Sequence, residues 1–323
     1  LSLLCKLSAS AKIYPRHLEL EEIQLDSSQP VTVNGFSDVY NGKYRGRAIS
    51  LKVGRQITQR DNRLLKSLFK ELTLVAHLSH RSIFPVFGVY VVSQELQRIG
   101  LVSRWNIDGN IKKYLGESPS SPRMPLISDV IDGLVYLHQR DIIHSNLEPQ
   151  NILVSDDGRA LIADLGRSRI DNDAGWDFDL LDGAIRWTTP ELLDSENDIP
   201  TRGSDVWSFG CLCYEILSKQ IVFYQYERDF KVLRALAKRE IPIRPEPSDD
   251  NHIDDRMWDL LTTCWDYQPD RRPNCEEIQR RIADLGYPDD RPAGPAQYLN
   301  DSVADTNVDY ERVREILLQG YQD

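Results

Sequence analysis

The 323-residue sequence is short of positive charge. It has 39 lysines and arginines against 50 aspartates and glutamates, a formal net charge of −11. That balance argues against nucleic acid or an anionic membrane surface as the main target. No apolar run approaches the ~18 residues that a membrane helix needs. Cysteine is sparse: Cys5, Cys211, Cys213, Cys264 and Cys275 form no C-x-x-C pair and no zinc-spaced Cys/His cluster. Free thiols in a reducing compartment are the simplest reading, so a cytoplasmic location is expected. There is no internal repeat and no low-complexity tract. The first residue is Leu1, and residues 1–10, interrupted by Lys6, lack a signal peptide's apolar core.

What is present is ordinary globular composition, 41 % hydrophobic and 28 % charged. The length suits two domains or one two-lobed domain. Residues 1–30 are weakly patterned. From Val31 to Val53, short β-prone runs alternate with the turn pairs Asn34-Gly35 and Asn41-Gly42, as in antiparallel hairpins. Residues 62–78 change to helical period, with Leu64, Leu65, Leu68, Leu72 and Val75 on one stripe. Strands are expected at Val86 to Val92 and Ile99 to Ser103. After Asn106-Ile107-Asp108-Gly109 the pattern turns mostly helical. Ile127, Val130, Ile131, Leu134 and Leu137 make a strong amphipathic stripe. Asp156-Asp157-Gly158 reads as a hairpin turn within 151–164. Ser204 and Asp205 could open a buried helix from Val206 to Leu217. Further helices fit 229–238, 255–265 and 275–284. Pro288, Pro292 and Pro295 mark a linker before a last short helix with Val313, Ile316 and Leu317 on one face. A β-rich segment before a larger helical one is expected to give an α+β fold of two lobes.

The chemistry concentrates in His144-Ser145-Asn146-Leu147-Glu148-Pro149-Gln150-Asn151-Ile152-Leu153. Thirteen residues after Asn151 comes Asp164-Leu165-Gly166. Thr189-Pro190-Glu191, Ser204-Asp205-Val206-Trp207-Ser208-Phe209-Gly210 and Arg272-Pro273 follow. In order and spacing these resemble the catalytic loop, magnesium motif, activation-segment anchor, central helix and closing arginine of the eukaryotic protein kinase family. The central-helix run and Cys264-Trp265 look like the tyrosine-kinase-like branch. The resemblance implies a bilobal kinase-like domain over 24–285, with an N-lobe at 24–103 and a C-lobe at 104–285. An extension at 1–23 and a linker with a short helix at 286–323 would flank it.

Residue by residue, the resemblance implies that Lys52 holds the α- and β-phosphates of ATP and that Glu71 pairs with it. Ser103, Trp105 and Asn106, with Arg104, match the gatekeeper and hinge, whose backbone would bond an adenine edge. Asn151 and Asp164 match two Mg²⁺ ligands, hard oxygen donors suited to that ion. Asp205 matches an aspartate that braces the catalytic loop, and Glu191 with Arg272 a buried ion pair.

Four departures fall on phosphate handling. Asn146 stands where working members have the aspartate that accepts the substrate proton, a loss typically worth about 10²–10⁴ in rate. Because phosphoryl transfer is rather dissociative, an amide there could still orient the acceptor weakly. Glu148 stands where a lysine usually reaches the transferring phosphate. Unit charges ~5 Å apart at an effective dielectric of ~20 interact by roughly 3 kcal/mol, so reversing the sign costs several kcal/mol unless the side chain swings to solvent. The three glycine positions of the phosphate loop read Thr32, Asn34 and Ser37, with only Gly35 nearby, off register by one. Ser145 replaces a phosphate-docking arginine. No Ser, Thr or Tyr lies between Arg169 and Trp187, where Asp171, Asp173, Asp177, Asp179 and Asp182 gather instead. Those aspartates read equally as a solvated loop or as a fixed mimic of phosphorylation. Ser168, Thr188 and Thr189 remain as acceptors at the segment's ends.

The scaffold residues match while the transfer residues do not. The expectation is therefore a catalytically impaired pseudokinase, an ATP-binding signalling or scaffolding module whose partners are proteins and nucleotide. The alternative is an active Ser/Thr or Tyr phosphotransferase with a non-standard catalytic loop.

Overall fold

The computed structural model describes residues 1–11, 13–14, 16–33, 37–54, 62–93, 98–105, 109–171, 184–193, 199–246 and 253–291. The expected C-terminal helix lies outside them.

The first part of the chain is a sheet. Strands β1 (Gln24–Leu25), β2 (Thr32–Val33), β3 (Ser37–Tyr44), β4 (Arg47–Gly54), β5 (Val86–Ser93) and β6 (Arg98–Arg104) pair antiparallel in the order β1-β3-β4-β6-β5, with β2 also on β3. Alternation along β4 decides which side chains meet the cleft. Ile49, Leu51 and Val53 are buried with Val102, while Ser50 and Lys52 take the other face. Asn41-Gly42 does not turn, contrary to expectation. It lies inside β3, and the chain reverses at Arg45-Gly46, both at positive φ (49° and 78°). Glycine is needed at 42 because β1 pairs closely there: a β-carbon would lie 2.5 Å from the Gln24 carbonyl oxygen.

Helix α1 (Ser2–Ala11), which the weak pattern of residues 1–30 did not announce, packs on α2 (Asn62–Val75). Cys5 is buried there, and Ser8 Oγ reaches the Phe69 carbonyl at 3.1 Å. Phe69 and Leu72 of α2 join Leu18, Val89 and Leu101 in a core between helix and sheet.

The second part is helical: α3 (Ile111–Glu117), α4 (Arg123–His138), α5 (Arg202–Ser218), α6 (Asp229–Ala237), α7 (Asp255–Cys264) and α8 (Cys275–Ala283). The apolar run of α5 is buried at its centre, as expected. Its cap is Thr201 rather than Ser204. Thr201 accepts from Ser204 N, and Ser204 Oγ accepts from Thr201 N, a reciprocal box one turn earlier. Two short antiparallel pairs lie against α4: the hairpin of β8 (Ile152–Val154) with β9 (Ala160–Ile162), and β7 (Ile142–Ile143) with β10 (Arg169–Ile170), which pair across that hairpin. The antiparallel sheet followed by a helical body is the expected bilobal α+β kinase fold. All five cysteines are buried free thiols. Among the described residues no helix is long and apolar enough to cross a membrane.

The chain after α8 does not leave the body at once. Asp129 of α4 is only 3 % exposed and accepts from Ala160 N at 3.0 Å. Arg291 grips it with both ends of its fork, Nη1 to Oδ2 at 2.7 Å and Nη2 to Oδ1 at 3.2 Å. The same guanidinium donates to the Gly158 and Pro125 carbonyls at 2.7 and 2.9 Å, and Arg159 Nη1 adds a further bond to Asp129 at 3.3 Å. Removing one partner of a buried, hydrogen-bonded ion pair strands the other. Arg291→Ala should therefore cost about 2 kcal/mol, or roughly 4–8 °C in Tm, because Arg159 compensates only in part. Thermal denaturation against Asp290→Ala, which should leave Tm unchanged, checks this.

Candidate functional site

The site lies where the sheet meets the helical body. The register of β4 with β6 sets Lys52 opposite Leu101 and Ser50 opposite Ser103. Lys52 Nζ stands 3.7 Å from Asp164 Oδ1, both side chains about two-fifths exposed (41 % and 36 %). Each ion holds the other charged: Asp164 raises the Lys52 ammonium, and Lys52 lowers the Asp164 carboxyl against the opposing effect of burial. Glu71 of α2 is buried beside them. Burial pushes its carboxyl up to about 7; Lys52 pulls it down and Asp164 raises it further. Lys52, Glu71 and Asp164 therefore come together, but the contact ion pair of Lys52 is made to Asp164 and not to the expected Glu71, which acts through its charge.

Gly166 is what lets α2 approach. A β-carbon there would run into Ser67 Oγ and lie 3.5 Å from Glu71 Oε2 and 3.6 Å from Asp164 Oδ1. Asp164 itself sits in the left-handed region (φ 63°, ψ 64°) as it starts the 3₁₀ turn Leu165–Arg167. Aspartate tolerates this better than most residues.

The loop from His144 to Asn151 is held by one carboxylate. Asp205, 1 % exposed, accepts from Ser145 N at 2.9 Å through Oδ1 and from His144 N at 2.7 Å through Oδ2. Ser145 is at φ 67°, a strained value for a non-glycine residue that this bond helps to impose. Asp205 Oδ2 also accepts from His138 Nε2 at 2.8 Å, and the Cys275 thiol lies 3.3 Å from His138 Nδ1. Burial keeps that thiol protonated and able to donate. His144 is wholly buried. Its Nε2 donates to the Ala163 carbonyl at 3.1 Å and its Nδ1 accepts from Asn146 N at 3.3 Å, the bonding of a neutral imidazole, in line with a pKa lowered by burial. Glu191 and Arg272 form the expected pair, bidentate at 2.6 and 2.8 Å.

Asn151 is buried at the mouth of the β8–β9 hairpin, next to Asp164. Its Nδ2 donates to the Asn146 carbonyl at 2.8 Å, leaving the amide oxygen as an acceptor. That oxygen and the ionised Asp164 carboxylate are the hard donors a Mg²⁺ ion needs. Among the described residues no three Cys, His, Asp or Glu side chains gather to hold a metal alone. A cation here would complete its shell with phosphate oxygens and water, as Mg²⁺ bound with a nucleotide does, so the residues fit that group.

Glu148 is half-buried at the head of the turn Pro149–Asn151. Burial raises its carboxyl, Arg167 draws it back down, and Asp164 raises it. Ser103 is buried at the end of β6. Trp105 is half-buried and donates its backbone N–H to the Ala48 carbonyl at 3.4 Å. Gly35, Asn106, Asp173, Asp177, Asp179 and Asp182 lie outside the described residues. Asp171 is no solvated bystander: Oδ2 accepts from Arg202 Nε at 3.1 Å. Sequence reasoning missed His138 and Cys275.

Residues 26–282 match the family of protein tyrosine and serine/threonine kinases. The dual specificity protein kinase shkA of Dictyostelium discoideum is 26 % identical over 282 residues, covering 84 % of this chain and 52 % of that protein. Tyrosine-protein kinase csk-1 of Caenorhabditis elegans is 26 % identical over 273 residues, 83 % of this chain and 48 % of its own length. Serine/threonine-protein kinase STY17 of Arabidopsis thaliana is 24 % identical over 269 residues, 83 % of this chain and 45 % of its own. The chain thus spans about half the length of these relatives.

Glu71 makes the stability of the site depend on pH. Its folded pKa, about 7, lies above the ordinary value of 4.5, so the folded state binds the proton more tightly. The stability this group supports is complete below about pH 4.5 and is lost as pH rises through 7. Glu71→Gln should melt like the wild type near pH 5 and progressively above it toward pH 8, measured as Tm across that range.

Proposed function

The chain belongs to the protein tyrosine and serine/threonine kinase family, and we propose that it is a tyrosine-kinase-like member whose phosphotransfer is impaired. It acts as a nucleotide-binding module that signals by engaging other proteins. The family uses ATP with Mg²⁺ and acts on proteins. In this reading Lys52 grips the α- and β-phosphates, Asn151 and Asp164 hold the cation, and Ser103, Trp105 and Asn106 border the adenine.

The carrying observation is the pair Asn146 and Glu148. An amide at 146 cannot take a proton from an acceptor hydroxyl at neutral pH, so only orientation is left to it. A carboxylate at 148 repels the phosphate that a lysine would draw forward. Lys52 and Asp164 keep their charges, and the loop around Asn146 keeps its brace on Asp205. Grip without transfer follows from that division. The same assembled Lys52–Asp164 pair favours the second reading, a working phosphotransferase in which Asn146 or a water orients the acceptor.

With millimolar ATP and Mg²⁺ the wild type should gain a few degrees in Tm, since a ligand bound only by the folded state stabilises it. No gain would remove the nucleotide from the reading. Phosphate transfer to a general protein substrate should be at background for the wild type. It should rise about 10²-fold or more in the double variant Asn146→Asp, Glu148→Lys. Wild-type turnover that disappears on Lys52→Ala would establish the working phosphotransferase instead.

A further inference from the structure

We propose that the outward face of α6, carrying Phe230, Lys231, Arg234 and Lys238, docks an acidic segment of a partner protein, one in which aspartates and glutamates surround an apolar side chain. The inference goes beyond the nucleotide reading above and uses none of its residues.

The chain leading into α6 is held by one side chain. Arg186, 6 % exposed, donates through Nη1 to the Val222 and Phe223 carbonyls at 3.1 and 3.2 Å, and through Nη2 to those of Tyr226 and Glu227 at 2.7 and 3.2 Å. Its Nε donates to Asp229 Oδ1 at 2.9 Å. A single buried guanidinium thus gathers residues 222–229 around itself and fixes the start of α6. Phe223 is fully buried at φ 58°, a left-handed value that the surrounding bonds must hold in place. Tyr224 and Phe230 each follow a clamped residue and stand at the surface, 37 % and 49 % exposed. Aromatic side chains presented on a frame already ordered lose little freedom on binding.

The helix divides into two faces. Val232, Ala235 and Leu236 are buried. Phe230, Arg234 and Ala237, at spacing i, i+4, i+7, lie on the opposite side with Lys231 and Lys238 along one flank, and all five are exposed. Asp229, the one acid of α6, is taken by Arg186. Lys231, Arg234 and Lys238 make no ion pair with any described residue. They stand three and four residues apart, a spacing at which like charges destabilise a helix. So a row of uncompensated cations flanks an exposed phenylalanine, on a chain whose net charge is −11. Neither feature serves the stability of the fold, whereas arginine and aromatic side chains are what protein interfaces concentrate. Carboxylates around an apolar anchor complement both. An extended polyanion, whether nucleic acid or membrane, would also meet the negative remainder of the chain. A short segment responds only to charges within a Debye length, about 8 Å.

Fluorescence anisotropy with the full chain and the labelled peptide Glu-Asp-Asp-Phe-Glu-Glu-Leu-Asp-Asp-Glu, at physiological salt, tests this. Wild type should bind the peptide at micromolar concentrations. The charge-reversed variant Lys231→Glu, Arg234→Glu should bind about tenfold more weakly, and Phe230→Ala about fivefold more weakly, both melting like the wild type. The equal charge change Arg16→Glu, Lys43→Glu, at exposed positions outside the helical part, should leave binding within twofold. No binding by the wild type, the same loss in both charge-reversed variants, or an unaffected Phe230→Ala overturns the inference. So does tighter wild-type binding to phosphatidylserine-containing vesicles or to polyuridylic acid than to the peptide. The measurement needs no nucleotide, so these outcomes leave the nucleotide reading as it stands, and a failure of ATP to stabilise the chain leaves this inference intact.

Discussion

Asp205 is the point on which the candidate site depends. A carboxylate 1 % exposed is tolerable only when its lone pairs are filled, and here the donors are His144 N, Ser145 N and His138 Nε2. Those donors come from the loop that runs from His144 to Asn151 and from the end of α4, while Asp205 itself belongs to α5. One desolvated group thus ties the loop to the two helices beneath it. It also holds Ser145 at a positive φ that the residue would not choose alone. Because the loop is fixed there, Asn146 can offer its carbonyl to Asn151 Nδ2, and the orientation of the Asn151 amide follows. The thiol of Cys275 extends the same chain of bonds to α8.

Above this floor the cleft is a balance of like and unlike charges. Lys52 and Asp164 stabilise one another in their ionised forms, Glu71 is driven toward neutrality by burial, and Glu148 is restrained by Arg167. An anion entering such a site meets attraction at Lys52 and repulsion at Glu148. The proposal of a gripping but non-transferring kinase fold expresses that asymmetry in functional terms.

Both ends of the described chain buttress the fold beyond the residues that match the family. α1 covers the outer side of α2, the helix that carries Glu71. At the other end, Gly286 to Arg291 lie along the helical body because Arg291 neutralises the buried Asp129. That grip also reaches Gly158 in the β8–β9 turn, whose neighbour Asp156 accepts from Arg104 at the end of β6 (3.0 Å). A chain of polar contacts therefore runs from the post-α8 segment to the junction between the two parts of the fold.

Periodicity announced α2 and α4, because each hides an apolar stripe long enough to show its repeat, and a continuous apolar run announced α5; α6, α7 and α8 were legible as helical segments too. The strands around Lys52 and the turn at Asp156-Asp157-Gly158 were equally legible, as were the motifs at 144–153 and 164–166. α1 was not, since Cys5 and Ser8 are too short a buried stripe to stand out. Asn41-Gly42 misled because a glycine needed for the close approach of a paired strand looks like one needed for a turn. Residue types and spacing by themselves determined the two-part architecture and the mismatch at Asn146 and Glu148. Only the tertiary structure decided that Lys52 contacts Asp164, that His138 joins Asp205 to Cys275 and that Arg291 completes Asp129. Those choices join residues far apart in the chain or on separate turns, and the energy that selects them arises only when burial removes water from both partners.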